Sequence, residues 1–207
     1  DNYKLIIKPK GGSGLTGSVE ASFTVGPWHD NTIGGYCGNP NVNGGKNVWF
    51  EMSADNETIT ISGTGAMDNY YKNDFSVDKP WHAYKSNITT VVIGDGVTTI
   101  GDAAFYNYNA LTSVSIPTSV TTIGKYAFYG CTGLQNITIP ASVTTIDNYA
   151  FFQCSKLESV NFENNSKLTT IGYEAFIYCY KLASFTVPNS VTTIGDWAFY
   201  GCNDLTS

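Results

Sequence analysis

From residue 88 onward, hydrophobic and polar positions recur in a fixed order along the chain. The string Val97-Thr98-Thr99-Ile100-Gly101 returns as Val120-Thr121-Thr122-Ile123-Gly124, Val143-Thr144-Thr145-Ile146-Asp147, Leu168-Thr169-Thr170-Ile171-Gly172 and Val191-Thr192-Thr193-Ile194-Gly195. An Ala-Phe pair follows each copy, ending at Phe105, Phe128, Phe151, Phe176 and Phe199, so the steps are 23, 23, 25 and 23 residues. The two extra residues fall around Glu163 to Lys167. Six positions beyond each Phe stands a Leu (Leu111, Leu134, Leu157, Leu182, Leu205), opening a run such as Leu111-Thr112-Ser113-Val114-Ser115-Ile116-Pro117. That run alternates apolar and polar at its end, as a strand with one buried face does.

Each repeat predicts a short strand (Leu-x-x-Val-x-Ile), a turn at Pro, a second extended piece (Val-Thr-Thr-Ile) and a Gly-started helical turn carrying Ala-Phe. One such unit has too few apolar positions to offset the entropy of ordering it. Stacked at the ~4.8 Å spacing of parallel strands, inner units bury both flat faces and exchange backbone hydrogen bonds. The expected fold class is a β-rich α/β solenoid, a right-handed stack of ~23-residue coils with Leu, Val, Ile, Ala and Phe turned inward. A bare stack end would leave an open sheet edge, so the pattern predicts that the natural protein continues past Leu205-Thr206-Ser207.

The first part of the chain does not repeat. Val48 to Met52 and Thr58 to Ser62 are β-rich runs around Ser53-Ala54-Asp55-Asn56-Glu57, a hairpin that reads as an N-terminal β-hairpin cap. Met67 to Lys79 reads as a loop, and Pro80-Trp81 is expected to pack its indole on the first coil. Tyr3 to Lys8 and Ser18 to Val25 are further strand candidates, separated by Gly11-Gly12-Ser13-Gly14. They either complete the cap or end a preceding domain.

Composition narrows the function. Charged residues are 14% of the 207 against an average near 25%, and the net charge is -6, which leaves no basic face for nucleic acid. No apolar run approaches the ~18 residues of a membrane span, and the opening Asp-Asn-Tyr-Lys shows neither an initiator Met nor an export signal, as in a processed or trimmed chain. Cys131, Cys154, Cys179 and Cys202 sit one per coil and so form a line along the stack, whereas a zinc site needs tetrahedral convergence. They read as a ladder of buried free thiols, each a small apolar filler and weak donor to a neighbouring carbonyl. Cys37 reads as a buried cap residue. His29 and His82 have no partner at triad or metal-pair spacing, and Asp68, Asp74 and Asp78 do not follow an EF-hand spacing. No catalytic, metal or cofactor site is expected.

The repeat Leu-x-x-Val-x-Ile-Pro-x-Ser-Val-Thr-Thr-Ile-Gly-x-x-Ala-Phe-x-x-Cys resembles the BspA-like, treponemal-type leucine-rich repeat over residues 88–207. Cys37-Gly38, Val48-Trp49-Phe50, Thr58 to Met67 and Pro80-Trp81 are similar to the segment that often precedes such repeats. Tyr108 departs from the pattern in the place of Cys, and Gly94 and Glu163 in the place of Pro. The organisation implied is an N-terminal β segment over 1–36, a capping region over 37–87, and repeats at 88–110, 111–133, 134–156, 157–181 and 182–204, with another opening at 205–207.

The resemblance implies a secreted or cell-surface bacterial protein, non-enzymatic and engaged in adhesion or protein-protein interaction. Its expected partner is an extracellular protein or glycan, with no nucleic acid and no direct membrane insertion, and the chain is expected to be a monomer. Two surfaces are candidates. If the strand's Leu, Val and Ile point inward, Thr90, Ser113, Asn136, Ser159 and Ser184 form one outward column and Val92, Ser115, Thr138, Asn161 and Thr186 another. These are either a binding face or β-compatible filler. An aromatic ridge of Tyr106, Tyr129, Phe152 and Tyr200, with Tyr126, Tyr149 and Trp197 alongside, is either an interface or rings packing on rings. Two other roles remain open, a glycan-binding targeting module of a larger secreted protein and a structural spacer.

Overall fold

The computed structural model describes residues 3–7, 19–23, 33–39, 41, 43–70 and 79–206. The Gly11 to Gly14 run, His29, Asp74 and Asp78 lie outside the described residues. The chain divides into two compact units, residues 1–31 and 32–207. In the first, β1 (Tyr3–Ile7) and β2 (Val19–Phe23) pair antiparallel, with Tyr3 opposite Phe23 and Ile7 opposite Val19.

The second unit is a β-solenoid built from two rows of strands. One row begins with β3 (Gly34–Tyr36), β4 (Val48–Met52) and β5 (Thr58–Gly63), which are antiparallel. It continues in parallel through β7 (Thr90–Ile93) and β9 (Ser113–Ser115), with β6 (Gly65–Ala66) and β8 (Val97–Ile100) in the opposite row. Further along, β11 (Asn136–Ile139) pairs in parallel with β13 (Ser159–Phe162). In the opposite row, β6 and β8 are followed by β10 (Thr122–Ile123), β12 (Thr145–Ile146), β14 (Thr170–Ile171) and β15 (Thr193–Ile194).

The predicted hairpin thus becomes part of the stack. Ile59 and Ile61 of β5 lie in register with Val91 and Ile93 of β7, and all four are buried. The hairpin's second strand serves as the rung before the first coil. Trp81, fully buried, stacks on Phe105 at 5.9 Å and meets Phe50 edge-on at 5.2 Å, which closes the core beneath the hairpin.

Period sets the core. Phe105, Phe128, Phe151, Phe176 and Phe199 stand behind one another, with successive ring centroids 5.5, 5.4, 5.1 and 5.5 Å apart and interplanar angles of 13° or less. Leu111, Leu134, Leu157 and Leu182 are fully buried in a parallel column.

The segment carrying Ala-Phe is not helical, as the repeat pattern had suggested; it is a run of turns. Two positions per coil have φ near +60°: Ala103, Tyr126, Tyr149, Glu174 and Trp197 at one, Asn107, Gly130, Gln153, Tyr178 and Gly201 at the other. This alternation of hand aims every second amide out of its own coil. The amides of Ala103, Phe105 and Asn107 donate to the carbonyls of Lys125, Ala127 and Tyr129 at 2.8, 2.8 and 2.6 Å, while Ala104 and Tyr106 close turns within the coil. A helix would have kept all of these bonds internal. A left-handed position costs a non-glycine residue ~1–2 kcal/mol, and each exported amide gains a hydrogen bond worth ~1 kcal/mol net, so stacking holds the turn in place.

Candidate binding surface

Strand alternation builds the sheet face from the core outward. Val91, Ile93, Ile137, Ile139 and Val160 point into the core, and the residues between them point out. Thr90 pairs with Ser113 and Val92 with Ser115; Asn136 pairs with Ser159 and Thr138 with Asn161; Ser159 bridges to Ser184. The two columns are thus in register from Thr90 and Val92 to Ser113 and Ser115, and again from Asn136 and Thr138 to Ser159 and Asn161, with the strand ladder interrupted between β9 and β11. Ser113, Ser115, Asn136, Thr138, Asn161, Ser184 and Thr186 are exposed, and Thr90, Val92 and Ser159 are half-buried. The ten column residues carry no charge, and Glu51 of β4 stands in register beyond Val92 through Thr60. Ser159 Oγ donates to Asn136 Oδ1 at 2.6 Å, and Asn161 Nδ2 reaches Ser159 Oγ at 3.4 Å.

At one end of this face lies a cleft of about 710 Å³, lined by Asn161, Glu163, Asn165, Thr186 and Asn189, with Phe162 and Pro188 as its apolar surfaces. The 25-residue repeat makes it. Glu163 N and Lys167 N are anchored to Ile139 O and Ala141 O of the preceding coil, at 3.1 and 2.9 Å. The residues between must arch outward, and Asn165 takes φ +59° to do so. In coils of regular length a serine bonds back to the preceding coil, as Ser142 Oγ does to Val120 O and Ser190 Oγ to Leu168 O, both at 2.7 Å. Lys167 holds that place in the long coil. The broken period was the signal that marked the cleft.

The aromatic ridge is assembled from the turns. Tyr106 stacks on Tyr129 at 4.7 Å, Tyr129 on Phe152 at 4.4 Å, and Tyr126 on Tyr149 at 4.7 Å. Lys125 Nζ sits 5.1 Å from the Tyr126 ring centroid. The inner rings therefore spend their faces on one another and present edges outward. Tyr178 and Tyr173, absent from the sequence-level ridge, end the two stacks edge-on against Phe152 and Tyr149 at 5.7 and 5.4 Å. Trp197 and Tyr200, 58% and 53% exposed, meet each other at 4.9 Å in the last coil.

The cysteines form an axial column. Cys131, Cys154, Cys179 and Cys202 donate Sγ–H to the carbonyls of Phe105, Phe128, Phe151 and Phe176, each at 3.2 Å. Burial raises the Cys154 and Cys179 thiols well above the ordinary range, and Cys131 and Cys202 to about 12 and about 11. Cys37 is buried in the first part of the core, its thiol pushed up by burial and then by Asp68. Thiols so disfavoured as thiolates are poor nucleophiles.

One charge is buried where sequence reading placed none. Lys79 is 4% exposed, its Nζ 5.7 and 5.8 Å from the Tyr108 and Tyr106 ring centroids. Burial, then Lys85, lowers its pKa to about 8. Burial, then Lys79 and Lys85, also lowers His82, which is half-buried. Tyr108 Oη and Trp81 Nε1 have no hydrogen-bond partner among the described residues. Within those residues no three His, Cys, Asp or Glu side chains cluster as metal ligands, and no helix is long and apolar enough to cross a membrane.

Comparison with known proteins places this architecture. No curated protein sequence matches the chain. A leucine-rich repeat protein of T. pallidum is 32% identical with a TM-score of 0.55, over 75% of this chain and 65% of that one. A leucine-rich cell surface protein of Faecalibacterium prausnitzii is 30% identical with a TM-score of 0.51, over 78% of this chain and 52% of that one. The pneumococcal vaccine antigen PcpA, 18% identical with a TM-score of 0.50 over 75% of this chain and 46% of that one, shares the fold. The chain thus spans about half to two thirds of these proteins. The family model for the BspA type leucine-rich repeat region matches residues 79–206 in six copies. The chain belongs to the BspA-type leucine-rich repeat family.

Proposed function

We propose that the chain is a non-enzymatic, cell-surface interaction module that adheres to an extracellular protein through its strand face. The observation that carries this reading is the pair of outward columns, uncharged hydroxyl and amide side chains apart from Val92 and mostly exposed, in register within each of two coil pairs. A regular face of this kind offers many weak hydrogen bonds at coil spacing, the way solenoids present extended binding surfaces. The surface location draws support from the F. prausnitzii relative, described as a cell surface protein. The ridge supports an interface less well, because its inner ring faces cover one another.

The test is biolayer interferometry of the full chain against immobilised extracellular matrix proteins, with the double variant Ser115→Lys, Thr138→Lys as comparator. Binding by the parent and loss by the folded variant is the expected result. Equal binding by both overturns the assignment of the face, and no binding to any matrix protein overturns the adhesive role.

A further inference from the structure

We infer that the cleft beside the arched loop of the 25-residue coil is a binding site for a neutral pyranose unit of a glycan. The site goes beyond the strand face as a protein-binding surface, and most of its residues lie outside the two columns.

The chemistry of the lining selects the ligand. Asn165, Thr186 and Asn189 make no side-chain hydrogen bond among the described residues, so three amide or hydroxyl groups stand ready for a ligand. Asn161, held by Ser159, adds a fourth. A neutral sugar offers alternating donors and acceptors that match such groups, and each amide serves as both. Glu163 accepts the Ala141 amide on Oε2 at 3.1 Å, which fixes the carboxylate and leaves Oε1 to accept from a sugar hydroxyl. Charge-assisted bonds of that kind are the strong ones. Phe162 and Pro188 supply apolar surface for the C–H face of a ring. Phe162 is held in place edge-on by Phe185 at 5.4 Å.

The same lining rejects other occupants. No lysine, arginine or histidine lines the cleft, and Glu163 repels carboxylates and phosphates. The arched loop and the loop at Pro188 to Ser190 interrupt the strand edge here, so an added β-strand has no continuous ladder to join. The volume lies inside the ~300–1,000 Å³ range of small-ligand sites.

The experiment is an NMR titration of the isotope-labelled full chain with methyl glucoside, methyl galactoside, methyl mannoside and N-acetylglucosamine, and with glucuronate as the charged comparator. The expected result is saturable shifts for at least one neutral sugar, confined to residues 160–166 and 186–190, with glucuronate at least roughly tenfold weaker because it meets Glu163. Asn189→Ala should weaken binding by roughly five- to tenfold through one lost hydrogen bond. Deleting Asn164 and Asn165 restores the 23-residue period and should abolish binding while the chain keeps its far-ultraviolet spectrum. Ser113→Lys, Ser115→Lys, which alters the strand face two coils away from Asn161, should leave sugar binding unchanged, so the two assignments fail separately. No shifts with any neutral sugar, shifts elsewhere on the chain, equal binding of glucuronate, or full binding after the deletion each overturn the proposal; if the deletion unfolds the chain, Asn189→Ala decides it alone.

Discussion

Phe151→Ala tests the column at its centre. Phe151 is fully buried between Phe128 at 5.4 Å and Phe176 at 5.1 Å, so truncation removes a whole ring and unstacks two neighbours. Large-to-small changes of this kind cost ~3–5 kcal/mol, and stacked aromatic pairs carry ~0.5–1.5 kcal/mol beyond buried area, which puts this site in the upper half, about 4–5 kcal/mol. Phe199 provides the internal control. It is only partly buried, with one stacked neighbour, Phe176 at 5.5 Å, and one edge contact, Phe185 at 4.7 Å. Phe199→Ala should cost about half as much, ~2 kcal/mol. Urea unfolding of both variants, with slopes checked against the parent, reads the difference, and thermal scans should show a fall of roughly 8–20 °C for Phe151→Ala. If the central substitution costs no more than the terminal one, the ring column is not what holds the coils together.

Lys79→Met should stabilise the protein by up to about 3 kcal/mol at pH 7, because the parent's ammonium is held at about 8 against 10.5 when unfolded. That gap should stay constant below pH 8 and close as the pH rises toward 10.5, where both states bind no proton; parallel denaturation series across that range would expose a gap that fails to close. Gln153→Gly should stabilise by ~0.5–1 kcal/mol, since its φ of +56° suits glycine, which already occupies the same place at Gly130 and Gly201; calorimetry showing a loss would refute strain there. An aromatic disulfide reagent at neutral pH should label Cys202, which is half-buried, before Cys131, Cys154 and Cys179, whose modification should wait for unfolding. Mass spectrometry of early time points would expose rapid Cys154 labelling as a contradiction.

The columns were legible in the sequence because they depend on period alone. A residue that recurs every 23 positions must stack on itself once strands align, so the Phe and Leu files and the two polar columns could be read from spacing. The turn conformation could not. Tyr126, Tyr149 and Glu174 have no intrinsic taste for positive φ; their amides donate to Asn148, Tyr173 and Asp196 of the next coil, contacts that no single repeat displays. The cleft was half-legible, as an insertion whose length was visible and whose arch was not. Lys79 was hidden for another reason. A lysine next to a proline reads as solvated, and only the three-dimensional packing of Tyr106 and Tyr108 encloses it.

The alternating turns give the stack a direction. Along that edge, every junction between coils has N–H groups on the leading side and carbonyls on the trailing side, as Phe128, Phe151 and Phe176 repeat toward Ala150, Ala175 and Ala198 at 2.8 Å. Two molecules meeting leading edge to leading edge would set donor against donor, and trailing edges would set acceptor against acceptor. Exchange of a coil between copies, or fusion of two such stacks by design, therefore works only in tandem, with one molecule's front meeting the other's rear.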